Sequence, residues 1–272
     1  MTQLNNLSIF VVHYSKLKDR KKFLTKFLEN IVIPVRWVTE KEIAHFNQAH
    51  IGVGKIFGIS SRIIGMDLGT NSRSLIYSRR RARWQGYVLF MRSFLTKTSE
   101  ILSTGSLPVR KPLPYAQIEV QNMHLTALQD GVESTSDWIL ILEDDVLPTE
   151  TAFDVLSQIL KVKKPKMTWI NLNSGAGLQR TSSDPHPDRF GLFRVKPAST
   201  RCATAYLVSL DLAKKILEVV NLYGIPNWLP IDVAYQAALR KLRANTYWQE
   251  PATFIQGSES GAYPSSLDGK RG

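Results

Sequence analysis

Three acidic residues follow an apolar run near the middle of the chain. Residues 138–142 (WILIL) predict a buried strand, and Glu143, Asp144 and Asp145 come directly after it. Adjacent carboxylates repel one another, and partial burial adds to the cost of their charge. A divalent cation removes this penalty, because hard oxygen ligands suit Mg²⁺ or Mn²⁺. Side chains alternate along an extended chain, so we expect Glu143 and Asp145 on one side and Asp144 on the other.

The sequence also permits two other roles for the triplet. The carboxylates could cap the helix predicted after them, where negative charge stabilises the positive end of the helix dipole. Carboxylates of this kind also serve two-metal nucleases and phosphatases, although no histidine-rich motif accompanies them here.

The elements around the triplet alternate between strand and helix. Near the N-terminus, the pattern predicts a strand, an amphipathic helix and a second strand at residues 7–14, 15–30 and 35–40. The alternation resumes at Tyr115 and continues to a short strand near the C-terminus. We therefore expect an α/β fold with a mostly parallel sheet flanked by helices, and ligands at the carboxyl ends of its strands.

One segment fits this alternation poorly. We expect a single domain over residues 1–272, in which residues 45–114 form an inserted basic helical segment facing the acceptor or a membrane. Its densest positive stretch contains Arg79, Arg80, Arg81 and Arg83. A solvated helix face explains this cluster, and so does contact with anionic lipid or a phosphorylated glycolipid. No nucleic-acid partner is expected, because no known nucleic-acid-binding motif accompanies the cluster.

The composition limits the classes of protein to consider. The chain has 35 Lys and Arg against 23 Asp and Glu, a net charge of +12 that favours anionic partners. The single cysteine, Cys202, excludes an intramolecular disulfide framework and indicates a reducing compartment. The N-terminus lacks a signal-peptide pattern, and no apolar run approaches the roughly 20 residues of a membrane span. We expect a cytoplasmic protein, at most peripheral to the inner face of a membrane.

Four stretches of the sequence occur in the order typical of one enzyme family. They are IFVVHYSKLKDRKKFL, MHLTALQDGV with LILEDDVLP shortly after it, ATAYLVSLDLAKKIL, and PIDVAYQAAL. Together they resemble glycosyltransferase family 25, which includes bacterial lipopolysaccharide and lipooligosaccharide glycosyltransferases, often galactosyltransferases. The resemblance implies a GT-A-like fold, a nucleotide-sugar donor, and a divalent metal (Mn²⁺ or Mg²⁺) that the acidic motif binds together with the donor diphosphate.

The resemblance also implies roles for individual residues. Glu143 and Asp145 would bind the metal, and Asp144 and Asp145 would contact the donor. Asp232, at a PxD-type position, would be the general base of an inverting transfer, although it could equally cap the helix after Pro230. Further donor contacts are implied after the first two strands, at Tyr14, Arg20, Thr39 and Glu40.

Several of these assignments have alternatives. Arg20 could pair with Asp19 or Glu29 instead of a phosphate. His124 follows Met123 where the family has a Ser-His pair, so we expect His124 to orient an acidic residue rather than to catalyse.

Two segments depart from the family pattern. Asn171 and Asn173 lie in a stretch that is more polar than the family's equivalent, and could contact sugar hydroxyls. No histidine follows His186, so Gln256, Ser258 or water would complete a metal shell.

The expected protein is a glycosyltransferase that moves a hexose, galactose or galactofuranose, from a UDP-sugar to a lipopolysaccharide or other cell-surface glycan acceptor. A neighbouring family with a similar core, such as the galactofuranosyltransferases, is an alternative. Two other classes are also open: a non-catalytic sugar-binding protein on the same fold, and a basic nucleic-acid-binding protein. The inverting outcome rests on analogy with the family.

Overall fold

The structure is a computed structural model of the 272-residue chain. It describes residues 4, 6–29, 31, 33–44, 46, 48–49, 113–134, 136–161, 166–175, 178, 180, 184–195, 198–226 and 229–263. Nearly all of the predicted insertion lies outside the described residues, and so does its arginine cluster.

Helices and strands alternate through the described residues. The helices are α1 (Lys18–Leu28), α2 (Tyr115–Glu133), α3 (Ala152–Lys161), α4 (Leu210–Tyr223) and α5 (Ile231–Lys241). The strands are β1 (Leu7–His13), β2 (Val35–Thr39), β3 (Gln48–Ala49), β4 (Trp138–Glu143), β5 (Val146–Pro148), β6 (Thr168–Asn171), β7 (Leu192–Arg194), β8 (Ala205–Ser209), β9 (Ile225–Pro226), β10 (Asn245–Gln249) and β11 (Phe254–Gln256). Among the described helices, none is both long enough and apolar enough to cross a membrane.

Seven strands form one sheet in the order β2-β1-β4-β8-β6-β10-β7. β1 is parallel to both β2 and β4, and β10 is parallel to β6. β8 is antiparallel to its neighbours β4 and β6, and β7 is antiparallel to β10. Five strands therefore run in one direction and two in the other. The α/β prediction is confirmed, and the sheet is mixed where a mostly parallel one was expected.

Helices cover both faces of this sheet, because side chains alternate between the faces along each strand. Phe10, Val12 and Ile141 lie in a core that includes residues of α2, α4 and α5. Val11 and Leu142 belong to the opposite core, which includes residues of α1 and α3. The apolar strands are buried on both sides, which explains their nearly continuous hydrophobic sequences.

One edge of the sheet gathers the polar segments. His13 at the end of β1 pairs with Thr39 at the end of β2, and Val12 pairs with Glu143 at the end of β4. The reversed strand β8 begins at the same edge, with Ala205 opposite Leu142. In open α/β sheets ligands bind at this carboxyl edge, beside the point where the strand order reverses, here between β1 and β4.

Candidate functional site

The three acidic residues after β4 have three different environments. Glu143 is the last residue of β4, and Asp144 and Asp145 form the turn to β5. Because α3 begins only at Ala152, the triplet does not cap that helix. Asp144 is directed towards β1 and α1, Glu143 towards α2, and Asp145 towards the segment after β11. The predicted separation of Asp144 from Glu143 is present.

Asp144 anchors the end of β1. Its Oδ1 accepts a hydrogen bond from Arg20 Nη1 at 3.0 Å, and its Oδ2 accepts the Tyr14 amide at 3.1 Å. His13 Nδ1 lies 2.8 Å from the same Oδ2. Asp144 and Arg20 are both buried, and the Arg20 guanidinium lies 5.2 Å from the ring centre of Tyr263. Donor contact was predicted for Asp144 and Arg20, and in this structure their charged groups contact each other.

Glu143 is held by a buried chain of aromatic residues. Its Oε1 lies 3.1 Å from Nε2 of His124, a residue with no exposed surface. His124 Nδ1 lies 3.1 Å from the Tyr206 hydroxyl, which in turn donates to the Tyr235 hydroxyl at 3.2 Å. Burial raises the pKa of both phenols, so they remain neutral. The predicted contact between His124 and an acidic residue is therefore present.

Asp145 is almost fully buried and only partly satisfied. Its Oδ2 accepts the Ser258 hydroxyl at 2.6 Å, and its backbone carbonyl accepts the Gly257 amide at 2.8 Å. Its Oδ1 is buried without a hydrogen-bond partner among the described residues. Burial and the nearby charge of Glu143 raise the pKa of Asp145 to about 6, although the bond from Ser258 opposes this shift.

Glu143 and Asp232 line the same cavity, which has a volume of about 180 Å³. Cys202 and Gln256 also line it, and Gln256 Oε1 is buried without a partner in the described part of the chain. Asp232 lies in the first turn of α5, whose N-cap is Pro230 and has no side-chain capping bond. The N-cap position is thus held by Pro230, and Asp232 follows in the first turn and lines the cavity.

The surroundings of Cys202 show that carboxylates converge here. Burial raises the pKa of its thiol, and the charges of Asp232, Glu259, Glu143 and Asp145 raise it further, in that order of size. The thiol is therefore protonated and unreactive. Carboxylates that lie close together repel one another, and a bound cation would offset that repulsion.

Oxygen donors of the kind that a divalent cation binds occur at this edge of the sheet, on Glu143, Asp145 and Gln256. In the part of the chain that the structure describes, no group of three or more His, Cys, Asp or Glu side chains is arranged to hold a metal. The buried Asp145 Oδ1 and Gln256 Oε1 nevertheless lack partners, and the Glu143 carboxylate lines the cavity with Gln256. Carboxylate and amide oxygens are the donors that Mg²⁺ and Mn²⁺ prefer. Of the two predicted substitutes for a histidine ligand, Gln256 lines the cavity and Ser258 binds Asp145.

The ends of β1 and β2 form a second polar group at the same edge. Glu40 accepts hydrogen bonds from the Ser15 amide, at 2.9 Å, and from the Ser15 hydroxyl. Burial would raise the pKa of Glu40, but these two bonds outweigh it and the pKa is lowered. Tyr14 and Thr39 lie beside this pair and are partly exposed. The structure thus brings together Tyr14, Thr39 and Glu40, for which donor contact remains a prediction.

Asn171 and Asn173 support the segment that precedes β8. Asn171 Nδ2 donates to the Cys202 carbonyl at 3.0 Å, and its Oδ1 accepts the Trp169 indole N–H at 3.0 Å. Asn173 Nδ2 donates to the Arg201 carbonyl at 2.9 Å. Both asparagines are fully buried. These contacts favour a structural role over the predicted contact with sugar hydroxyls.

Sequence reasoning missed several residues that shape this edge. The local pattern predicts His13 only as part of a strand. Its position directly after a buried run could have identified it as a residue of the carboxyl edge. The buried Arg201 forms an ion pair with the partly exposed Glu250, and nothing in their local sequence indicates that they meet. The same holds for Tyr206 and Tyr235, which are joined only by the fold.

Comparison with known proteins gives no match, either to a protein-family model or to a curated sequence. The function is therefore inferred from the site's residues and from the resemblance of their motifs to glycosyltransferase family 25.

Proposed function

We propose that the protein is a metal-assisted glycosyltransferase that moves a hexose, galactose or galactofuranose, from a UDP-sugar to a glycan acceptor of the cell surface. The observation that carries the proposal is the shared cavity, in which the candidate metal ligand Glu143 and the candidate base Asp232 line one space at the carboxyl edge of the sheet. The sequence motifs indicate each of these carboxylates independently of their proximity in the fold.

The environment of each carboxylate indicates its role in the proposed reaction. Glu143, Asp145 and the amide oxygen of Gln256 would hold the cation, which when bound would neutralise charge on the departing diphosphate. Asp144 would not contact it, because its oxygens already bind Arg20 and Tyr14. Its role would be to fix the turn that carries its two acidic neighbours.

Asp232 is suited to accept a proton from an acceptor hydroxyl. It lies in the first turn of α5, where the helix dipole favours a negative charge. A positioned base of this kind contributes a factor of roughly 10²–10⁴ to the rate. The acceptor oxygen would bond to the anomeric carbon as its proton passes to Asp232 and as the bond to UDP breaks on the opposite face, which gives an inverting transfer.

The seven-stranded mixed sheet with helices on both faces is compatible with the GT-A-like fold that the motifs imply. The donor nucleotide would lie along the carboxyl ends of β1 and β2, near Tyr14, Thr39 and Glu40. Docking of the arginine cluster at residues 79–83 to an anionic membrane, and a cytoplasmic location at the membrane's inner face, remain part of the proposal.

A donor-binding and turnover experiment tests this function. Purified protein would be screened by thermal shift against UDP-galactose, UDP-glucose and UDP-galactofuranose, with and without Mn²⁺, and UDP release would then be measured. We expect a metal-dependent shift with one of these donors and slow UDP release to water. The Asp232→Asn variant should retain the thermal shift and lose UDP release by roughly 10²-fold or more.

The control variant is Asp154→Asn, since Asp154 is an exposed acidic residue in the first turn of α3 and has the same relation to a helix dipole. It should match the wild type in both assays. Donor binding without UDP release by the wild type would instead favour the non-catalytic sugar-binding alternative. No response to any nucleotide sugar with either Mn²⁺ or Mg²⁺ would refute the proposal.

A further inference from the structure

The chain segment that precedes β8 is fastened to the start of α5, the helix that carries Asp232. Thr200 Oγ1 donates a hydrogen bond to the backbone carbonyl of Asp232 at 3.1 Å. One turn further along α5, Gln236 Oε1 accepts the Ser199 hydroxyl at 3.0 Å and the Thr200 amide at 3.3 Å. Side chains of both elements thus join the segment to the first part of the helix.

These contacts lie in the protein interior. Ser199, Thr200 and Gln236 are each less than a tenth exposed. Further along the same helix, Arg240 Nε donates to the Ala198 carbonyl at 2.7 Å. A buried polar group that loses its partner destabilises the fold, so the segment and the helix favour one relative position.

The same segment continues into the wall of the cavity that Asp232 lines. Residues 202–204 follow Thr200 closely in sequence, and all three line this cavity. Asp232 lines it from the side of α5. The hydrogen bond from Thr200 to the Asp232 carbonyl therefore connects two walls of one cavity, close to the candidate base.

The backbone of this segment is itself closely held. Cys202 has a φ of +85°, an uncommon conformation for a residue other than glycine. Gly175 packs against the preceding peptide, where a Cβ would lie 2.4 Å from the Arg201 carbonyl oxygen. That carbonyl also accepts a hydrogen bond from Asn173 Nδ2 at 2.9 Å. Thr200 thus contacts α5 from a support that has little room to move.

The position of Asp232 matters to the proposed reaction. A general base must lie within hydrogen-bond reach of the proton that it accepts. Misplacement of a reacting group by about 1 Å can lower the rate by roughly 10²-fold. The N-cap residue Pro230 forms no side-chain capping bond, so the contacts of Thr200 and Gln236 fix the start of α5 at the cavity wall.

We infer that Thr200 and Gln236 are positioning residues, which hold Asp232 at a fixed distance from the opposite wall of the cavity. The inference rests on the proposed transfer reaction, because it takes Asp232 as the general base. Neither Thr200 nor Gln236 is among the described residues that line the cavity, so both act through Asp232 and not by contact with a substrate.

The kinetics of Thr200→Val test this inference. Valine has the shape of threonine but lacks the hydroxyl that bonds to the Asp232 carbonyl. We expect UDP release to fall by about tenfold or more, with an unchanged KM for the donor and an unchanged thermal shift. Thr200→Ser keeps the hydroxyl and should restore most of the rate. In the Asp232→Asn background, Thr200→Val should cause no further fall, because its effect passes through the base.

Labelling of Cys202 gives a second readout, which requires no activity. Cys202 is the only cysteine of the chain and lines the cavity. Its reaction with a maleimide should become several-fold faster in Thr200→Val, because the two walls are no longer joined at this point. Gln236→Leu removes the acceptor of the other two hydrogen bonds and should have the same effect.

The matched control is Thr168→Val. Thr168 is also buried, and its hydroxyl donates to the Lys166 carbonyl at 3.2 Å, but it lies on β6 and is not among the described residues that line the cavity. This variant should resemble the wild type in UDP release and in Cys202 labelling.

Two results would overturn the inference while the proposed reaction stands. In the first, Thr200→Val matches Thr168→Val in either readout. In the second, Thr200→Val lowers UDP release by the same factor with Asp232 present and with Asp232→Asn. Absence of UDP release from the wild type would instead refute the transfer reaction, and the positioning of a base would fall with it.

Discussion

Arg20 and Asp144 form a buried ion pair that joins α1 to the turn after β4, with 3.0 Å between Nη1 and Oδ1. The two side chains are 124 residues apart in sequence, and each is less than a tenth exposed. The pair fastens the first strand's carboxyl end to the acidic turn. It therefore positions Glu143 and Asp145 without contacting the cavity between α2 and α5.

Breaking this pair should be costly. Arg20→Gln or Asp144→Asn removes one charge of a buried ion pair, so each should lower the free energy of unfolding by about 3–5 kcal/mol, measured by urea denaturation. The double variant should be less destabilised than the sum of the two, because it removes both charges of the pair. Lys22→Gln, at an exposed position of the same helix, should change stability by less than about 0.5 kcal/mol. Additive effects of the two single changes would show that the two charged groups do not depend on each other.

His124 should affect both stability and metal affinity. The change His124→Phe keeps an aromatic ring but removes the contacts with Glu143 and with the Tyr206 hydroxyl, at a cost of about 1–3 kcal/mol. It should also weaken Mn²⁺ binding, measured by electron paramagnetic resonance, because Glu143 loses the group that orients it. Tyr235→Phe removes only the hydroxyl that lies farthest from Glu143 in this series of contacts, and it should leave Mn²⁺ binding unchanged. Equal Mn²⁺ affinity in His124→Phe and wild type would show that His124 does not position Glu143.

The raised pKa of Asp145 should make the metal-free protein less stable as the pH rises. The carboxyl has an ordinary pKa of 3.8 and a folded-state pKa of about 6, so the folded chain binds more protons between these values. The stabilisation that this carboxyl contributes to the folded state is fully present below pH 3.8, and it is lost as the pH rises through about 6. The loss is on the order of 2–3 kcal/mol. In Asp145→Asn this part of the pH dependence should disappear.

The measurement is a series of urea titrations from pH 4 to pH 8 in the presence of a chelator. Above pH 6 the Asp145→Asn variant should be more stable than the wild type, and the two should converge near pH 4. Adding Mn²⁺ at pH 7.5 should stabilise only the wild type. An unchanged pH dependence in the variant would mean that Asp145 is not the group that titrates.

Gly131 is required by close packing between α2 and β4. A Cβ at this position would lie 2.7 Å from Ile139 Cδ1, closer than real Cβ atoms approach. Gly131→Ala should therefore destabilise the protein by about 1–3 kcal/mol, in spite of alanine's higher helix propensity. Adding Ile139→Val removes that methyl group and should recover part of the loss. A more stable Gly131→Ala protein in thermal denaturation would contradict this packing.

Local sequence patterns predicted the strands and helices better than their directions. Residues 205–209 are buried on both faces, so β8 has the same apolar pattern whether it is parallel or antiparallel to its neighbours. The short strand β7 was not among the predicted strands. In both cases the decisive hydrogen bonds join residues that are far apart in sequence.

In the candidate site, too, the sequence predicted relations between neighbouring residues but not contacts between distant ones. Alternation along the chain separated Asp144 from Glu143, because that relation is local. For Arg20 the sequence predicted contact with the donor, with Asp19 and Glu29 as alternative partners, whereas its ion pair with Asp144 joins residues 124 apart in sequence. The contacts that join Thr200 to α5 were not predicted at all, since these residues meet only in the folded chain.

The acidic turn is held by a segment that comes late in the sequence, since β11 pairs with β5 and leads directly to Gly257 and Ser258. Every strand of the large sheet has been synthesised by Gln249, but the groups that hold Asp145, from Gly257 and Ser258, come afterwards. During synthesis the sheet can therefore assemble before the surroundings of Asp145 are complete. A protease that cut between β10 and β11 would leave the sheet's strands intact and release the segment that holds Asp145. For the proposed cation site, affinity would then be the last property gained on synthesis and the first one lost on cleavage.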